Sequence, residues 1–386
     1  MSSLDNFALE KLGWLEAANR RRTLADTVRE DGIWLTREGR RMLSFSCNDY
    51  LNLTHHPMVK AAAIAAIEKY GTGAGASRLI TGNHPLLGEL EQRLAKLKGT
   101  DAACVFGSGY LANTGIIPTL IGEGDLLLVD ELSHSCIWAG AQLSHSRTFA
   151  FRHNDVAHAR DLLAQHRAGH RHALIVTDGV FSMDGDLAPL HDLSALAADH
   201  DAWLMSDDAH GLGVVGDGRG SAFADGTKAR IDLQMGTLSK ALGSYGGYLC
   251  ASQAVTDLIK TRARTLVYST GLPPASVASA IAALDVIGSD PAFSGRALKN
   301  AQSFTRLLNL PIAQSPIVPL VLGEETVALE AQQILEKRGF LVTAIRPPTV
   351  PQGTARLRFA FTAGHSDEDI SRLAQTVREH VMPLLP

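Results

Sequence analysis

The chain is expected to fold as an α/β protein, with a large domain built on a mostly parallel sheet and a smaller α+β C-terminal domain. Three observations carry this expectation. The centre of the chain alternates short apolar runs, at 102–106, 126–129, 173–177, 202–206, 231–236 and 247–250, with helical patterns such as 156–166 and 190–199. Strands separated by helices form βαβ units, which pair in parallel. Nearly every run ends in a cluster of small or polar residues, where parallel sheets gather ligand-binding groups. After about residue 275 this rhythm gives way to a long helical stretch followed by scattered strands. At roughly 100–200 residues per domain, 386 residues leave room for both parts.

From the N-terminus, residues 8–29 read as a helix carrying the basic run Arg20-Arg21-Arg22. A strand pair follows at 33–35 and 42–45, turning at Glu38-Gly39. Residues 58–70 are Ala-rich and helical, and Gly71 stops them. Beyond the Gly-rich stretch 71–82, residues 85–98 place Leu86, Leu87, Leu90, Leu94 and Leu97 at helical spacing. The C-terminal part reads as a helical stretch over 275–308, a strand at 317–322, a helix at 325–337 and strands at 340–344 and 355–361. The expected division is therefore 1–45, a helix and short strands packing with the small domain; 46–275, the large domain; and 276–386, the small C-terminal domain.

Composition excludes several classes. Lys and Arg number 36 against 40 Asp and Glu, a formal net charge of −4, so there is no basic field for nucleic acid or an anionic membrane. With 45% hydrophobic residues the chain is too apolar for disorder. A chain of this length buries about three quarters of its unfolded surface and needs no staple. The four cysteines, Cys47, Cys104, Cys136 and Cys250, form no close pair, which fits free thiols in a reducing compartment. The first residues include Asp5, Glu10 and Lys11 and no apolar h-region, so no signal peptide is expected. No apolar run approaches the roughly 20 residues that span a bilayer. A cytoplasmic protein without a membrane segment is the expectation.

The chemistry sits at the strand ends. Gly107-Ser108-Gly109-Tyr110 leads into a helix, and such a turn offers backbone N–H groups and a helix dipole to a phosphate. His134 stands after the next run, and a turn-rich loop from Asp178 to Asp186 after the third. Asp207 ends a buried run, where an acid is costly unless it meets a cation. Asp207 and His210 lack a third ligand at metal spacing, so no metal is expected and an organic cation is the better partner. Lys240 lies among small residues just past another run, where partial desolvation lowers an amine's pKa and makes it a nucleophile. A carbonyl for Lys240, a phosphate for the glycine turn and a ring nitrogen for Asp207 are the parts of pyridoxal 5'-phosphate (PLP).

The set Ser133-His134, 178–186, Asp207-Asp208-Ala209-His210-Gly211, 237–243 and Tyr268-Ser269-Thr270 resembles the α-oxoamine synthase family, and the likeness runs from Phe45 to about residue 361. It implies a fold-type I PLP-dependent transferase that condenses an amino acid with an acyl thioester and releases CO2, acting as a homodimer with shared active sites. The resemblance implies that Lys240 holds the cofactor and moves the amino acid's α-proton, that His134 stacks on the ring and that Asp207 pairs with its nitrogen. His210 and Ser182 would meet the phenolic oxygen. Gly109, Tyr110 and Thr237 would hold the phosphate, joined by Thr270 from a second subunit. Arg346 would clamp the α-carboxylate, with Asn48, His134 and Thr349 also at the substrate.

Residues 344–351 and 353–358 resemble the family members that join L-alanine to a pimeloyl thioester, on CoA or a carrier protein, in biotin synthesis. In those members an N-terminal arginine faces the far carboxyl of the pimeloyl chain; ungapped counting back from Asn48 favours Arg22, with Arg20 and Arg21 one or two residues of slip away. Gly73-Ala74-Gly75-Ala76-Ser77-Arg78 is instead similar to sister synthases that use glycine, which stand as the alternative. A more distant alternative is an NAD-dependent oxidoreductase, because Gly107, Gly109 and Ala112 with Asp130 also match the dinucleotide fingerprint.

Overall fold

The computed structural model describes residues 1–18, 20–30 and 32–385. Chain contacts divide it into two units. The smaller comprises Met1–Ser46, Pro319–Phe359 and Gln375–Pro386, and the larger comprises Cys47–Val318 and Ala360–Ala374.

In the smaller unit, helix α1 (Ser3–Ala17) starts at a capping box in which Ser2 and Asp5 bond each other's backbone N–H. It buries none of its residues and ends at Ala18, so the helix expected over 8–29 is corrected to 3–17. Without an apolar stripe there is no packing to extend it through three consecutive arginines. Asn19, inside the expected span, lies outside the described residues. Strands β1 (Thr27–Arg29), β2 (Trp34–Arg37) and β3 (Arg40–Ser44) then form an antiparallel meander, with Phe340–Leu341 added in parallel to β3. The β2–β3 turn holds Glu38 and Gly39 at positive φ. The strand expected at 340–344 is two strands: Phe340–Leu341 in this sheet and Thr343–Ile345 paired antiparallel to Ala355–Ala360 in another.

The larger unit is a seven-stranded sheet of β4 (Ala102–Phe106), β5 (Leu126–Asp130), β6 (Arg147–Phe151), β7 (Ala173–Asp178), β8 (Trp203–Asp207), β9 (Leu233–Thr237) and β10 (Gly247–Ala251), in the order β4-β10-β9-β8-β7-β5-β6. All recorded pairs are parallel except those of β10, which runs against both β4 and β9. Residues 238–246 between β9 and β10 are too few for a parallel crossover, which takes about a dozen. Lys240 rides on this short return. The strand β6 was not anticipated, because this edge strand is mostly half-exposed and lacks a continuous apolar run.

Alternate residues of the strands face two helical layers. Cys104, Phe106, Leu127, Val129, Leu174 and Val176 pack with Ile116 and Ile117 of helix α4 (Gly109–Leu120) and with Ile137 of α5 (Ser135–Ser144). On the other face, Ala103, Val105, Tyr248 and Cys250 pack with Leu87, Leu90 and Leu94 of α3 (Pro85–Lys98) and with Val277 of the helix Pro274–Ser289. The helix α2 (Pro57–Tyr70) packs there through Val59. Farther along that face, Leu126, Leu128 and Ile175 meet Leu163 of α6 (Val156–His166) and Leu193 of α7 (Leu190–Asp199).

The stretch expected to be helical over 275–308 is three helices, Pro274–Ser289, Pro291–Ser294 and Arg296–Leu307. A proline disfavours the helical region for the residue before it, and Asp290 sits extended at φ −134° and caps Ala292. Residues 276–318 and 360–374 belong to the larger unit by their contacts, whereas the sequence assigned them to the small domain. The buried face of Pro274–Ser289 explains this, since it is covered by the larger unit's own core.

At the end of α3, Lys98 is fully buried and donates to the Asp208 carboxylate and to the Arg219 carbonyl. Asp208 also accepts from the Ser221 backbone at 2.9 Å. Lys98→Met is expected to strand that buried charge and cost about 3–5 kcal/mol in urea unfolding. A loss no larger than that of an exposed ion pair, about 1 kcal/mol, would overturn this reading.

Candidate active site

Five strand ends of the larger unit converge on a cavity of about 230 Å³. At one end lies the start of α4, where Ser108 caps the helix by accepting from the Leu111 backbone at 3.1 Å. The N–H groups of Gly109 and Tyr110 open this first turn, where helices leave N–H groups without intrahelical partners. A Cβ on Gly247 would lie 2.5 Å from the Ser108 carbonyl oxygen, so glycine lets β10 pass close behind the turn. Thr237, at the end of β9, also lines the cavity. Its hydroxyl donates to the Gly246 carbonyl at 2.8 Å and lies 2.8 Å from Ser239 Oγ.

The opposite end is acidic. Asp207 closes β8 with 5% of its surface exposed, and its recorded partners are Asn113 Nδ2 at 2.7 Å and the Ala209 N–H at 3.0 Å. Neither is a cation. Asp178 closes β7 beside it at 3% exposure and accepts from the His134 backbone at 3.3 Å. Burial and the nearby Asp207 charge hold the Asp178 carboxyl well above the usual carboxylate range.

His134 caps α5, with Nδ1 accepting from the Cys136 backbone at 3.2 Å and lying 2.8 Å from Cys136 Sγ. An accepting Nδ1 leaves the proton on Nε2, so the ring is neutral. Burial lowers its proton affinity, Asp207 opposes that and Lys240 reinforces it. Burial, then Asp207, pushes the Cys136 thiol up to about 12.

The amine side is a chain of contacts. Lys240 Nζ lies 2.6 Å from His210 Nε2, His210 Nδ1 lies 2.7 Å from Tyr50 Oη, and Tyr50 donates to Asn48 Oδ1 at 3.2 Å. Because Asn48 Oδ1 only accepts, the tyrosine proton goes there, Nδ1 donates to the tyrosine oxygen and Nε2 accepts from Lys240. The sequence singled out Lys240, His210 and Asn48 separately, and the fold joins them through Tyr50.

Gly109, Tyr110, His134, Asp207, His210, Thr237 and Lys240 therefore share one cavity. Ser182 is buried but does not line it, and Thr270 lies exposed, bridged to Ser77. Arg22, Arg346 and Thr349 line a different cavity of about 590 Å³ within the smaller unit, together with Arg20, Arg21, Arg37 and Arg40. There Arg22 Nη2 donates to Thr349 Oγ1 at 2.9 Å, and the buried Arg20 Nε has no hydrogen-bond partner among the described residues.

Sequence reasoning gave no role to Asn113, Asp178 or Tyr50. Asn113 carried a signal, a polar residue one turn into an apolar helix, and Asp178 carried the same one as Asp207, an acid ending a buried strand. Tyr50 carried none, since only the fold brings it to His210.

Residues 40–377 match the model of the class I and II aminotransferase family. The chain is 64% identical, over all of its own length and 99% of the relative, to 8-amino-7-oxononanoate synthase of Beijerinckia indica subsp. indica. It is 68% identical to that of Methylocella silvestris, over 90% of this chain and 99% of the relative. Among solved structures it is similar to a lysine-to-alanine variant of serine palmitoyltransferase from S. paucimobilis with a bound PLP-myriocin aldimine, at 29% identity and TM-score 0.92 over 100% of this chain and 99% of that one. It is also similar to 8-amino-7-oxononanoate synthase from Francisella tularensis, at 25% identity and TM-score 0.76 over 89% and 98%.

The acid pair yields a prediction. Asp178's folded pKa lies above its unfolded value, so its contribution to stability is present below about pH 4 and lost as pH rises through the folded value. Asp178→Asn should therefore gain melting temperature over the ligand-free parent, increasingly from pH 5 to pH 9, by about 2 °C or more. Equal melting temperatures across that range would show that the pair carries no such strain.

Proposed function

The chain belongs to the class I and II aminotransferase family and, within it, to the 8-amino-7-oxononanoate synthases, and from that premise we propose that it is a PLP-dependent acyltransferase joining L-alanine to a pimeloyl thioester. Alanine's α-carbon gives up its proton and bonds to the thioester carbonyl, and the C–S bond breaks, the leaving thiolate taking a proton to become the free thiol. Alanine's carboxyl leaves as CO2, with a proton taking its place on the α-carbon. The product is 8-amino-7-oxononanoate, for biotin synthesis. A dinucleotide-dependent oxidation is set aside with the family membership.

The cavity's donor set supports the cofactor. A buried acid without a cationic partner suits a protonated ring nitrogen, a helix N-terminus at the other end suits a phosphate, and an amine between them suits a carbonyl. In this reading Lys240 holds the carbonyl, Asp207 the ring nitrogen, and Gly109, Tyr110 and Thr237 the phosphate. Bound there, PLP supplies an electron sink for negative charge developing at the amino acid's α-carbon.

Every other task falls to the chain. Asp207 keeps a proton on the ring nitrogen through its charge. The neutral His134 ring would stack on the cofactor without competing for that charge. His210, accepting an N–H from Lys240 and fixed from behind by Tyr50, aims the amine that moves the α-proton. With the cofactor bound, His210 would meet the phenolic oxygen from the cavity wall. Ser182, which does not itself line the cavity, is proposed beside it, and Asn48 would help hold substrate. Arg346 binds the alanine carboxylate by a forked contact, and Arg22 with Thr349 takes the distal pimeloyl carboxylate, a role supported by their mutual hydrogen bond in an arginine-rich cavity.

We further read the chain as a homodimer with Thr270 reaching a partner's phosphate site. The exposed Leu79, Ile80 and Tyr268 beside the Ser77–Thr270 bridge support an apolar contact there. The four cysteines are unpaired and none is exposed, which supports the reducing cytoplasm.

The observation that carries the reading is the single cavity holding Lys240, His210, His134, Asp207 and the start of α4. Its test is release of free thiol from a panel of pimeloyl-, acetyl- and succinyl-CoA with L-alanine or glycine. Alanine with pimeloyl-CoA should dominate; glycine with acetyl- or succinyl-CoA would assign the chain to the sister synthases instead.

Lys240→Ala should fold and yet yield no borohydride-reduced cofactor adduct. A reduced adduct mapped to another lysine in the parent would refute the assignment. Arg22→Ala should raise the KM for pimeloyl-CoA roughly tenfold, the low end for a charged hydrogen bond because the group is exposed, with the alanine KM unchanged. An unaltered pimeloyl-CoA KM would remove Arg22 from the donor site.

A further inference from the structure

The turn-rich segment 178–187 has one end in the cavity, at Asp178 and Val180, and another the reaction leaves unused, at Asp186. His153 stands between Asp186 and the end of β5. Its Nε2 lies 2.8 Å from Asp186 Oδ2, and its Nδ1 lies 3.1 Å from Asp130 Oδ1. A neutral imidazole has one N–H, so both contacts are hydrogen bonds only when the ring carries two.

Asp130 is fully buried and also accepts from the backbones of Leu132 at 2.9 Å and Asn154 at 2.8 Å. Asn154, left-handed at φ 56°, donates to Asp186 Oδ2 at 2.9 Å and to the Leu187 carbonyl at 3.2 Å. Phe181 packs against the His153 ring edge-on at 4.3 Å. The segment is closed on itself, because Phe181 N bonds the Asp186 carbonyl, Gly185 N bonds the Phe181 carbonyl and Val180 bridges Leu187. Holding Asp186 therefore holds the whole segment.

We propose that His153 is a positioning residue: as an imidazolium between Asp130 and Asp186 it pins segment 178–187 to the sheet and fixes Asp178 and Val180 at the cavity. The use of those residues rests on the proposed function. The charged groups facing the ring are Asp130 from β5 and Asp186 from the segment; Glu131 accepts the His153 backbone N–H, and Arg152 pairs with Asp155 on the ring's own stretch. Burial lowers the ring's proton affinity, but the two carboxylates outweigh burial and raise it to about 10. With the folded value above the ordinary 6.5, the clamp is fully present below that pH and is lost as pH rises through about 10.

The test compares PLP-loaded parent, His153→Gln and Asp186→Asn by hydrogen exchange, corrected for the intrinsic rate, with β8 as internal reference. Each variant should lose roughly tenfold protection across 178–187 at pH 7, leave β8 within twofold and raise the dissociation constant for PLP. The parent should approach the variants' exchange between pH 9 and pH 11, whereas the variants should show no such step. Unchanged protection in 178–187, protection lost equally in β8, or a parent without a step above pH 9 would each overturn the proposal. Exchange needs no turnover, so a parent that fails with alanine and pimeloyl-CoA would reject the functional reading while the clamp stands or falls on exchange alone.

Discussion

A carboxylate at the end of a buried strand is the constraint around which the larger unit is organised. Asp207 is desolvated without a cationic partner, and Asp178 beside it intensifies the cost. Helix α4 ties this acid to the other end of the cavity. Its first turn opens at Gly109, and Asn113, one turn on, donates to Asp207. At 1.5 Å per residue, four residues separate the two ends by roughly 6 Å along the axis, so one helix sets the distance between its open N-terminus and the acid.

Lys240 is delivered between those ends by the return from β9 to β10, whose brevity also reverses β10 in a parallel sheet. The same chain geometry thus explains the antiparallel strand and the lysine's position. Behind the acids, the buried Lys98–Asp208 pair secures the turn that carries Asp207 and His210. The Tyr50–Asn48 pair then orients the His210 imidazole, which touches the amine. Buried polar networks of this kind are rigid when each member is satisfied.

The two cavities differ in physical character. One is small, set at the ends of buried strands and furnished with a single amine; the other is larger, lined by arginines and built in part from residues just after α1. The first suits a cofactor held by specific contacts, and the second suits carboxylates held by charge. The arginine run that reads as part of a helix is outside it, which leaves these side chains free of helical spacing and able to gather on one cavity.

Most of the α/β rhythm was legible in the sequence because it is local. A buried parallel strand needs a continuous apolar run, and a helix needs a 3.6-residue stripe, so β4, β5 and β7 to β10 and helices α2, α3, α6 and α7 announce themselves to within a residue or two. Glycine turns and acids at strand ends pointed to Gly109, Asp207 and Lys240 for the same reason. The tertiary structure alone decided what local pattern does not encode: the edge strand β6, the break at Asp290, the packing of 276–318 with the larger unit, and the joining of Lys240 to Tyr50 or of His153 to Asp130 and Asp186. These depend on contacts between residues far apart in the chain, whose energy arises from desolvation and charge that exist only once the sheet has brought them together.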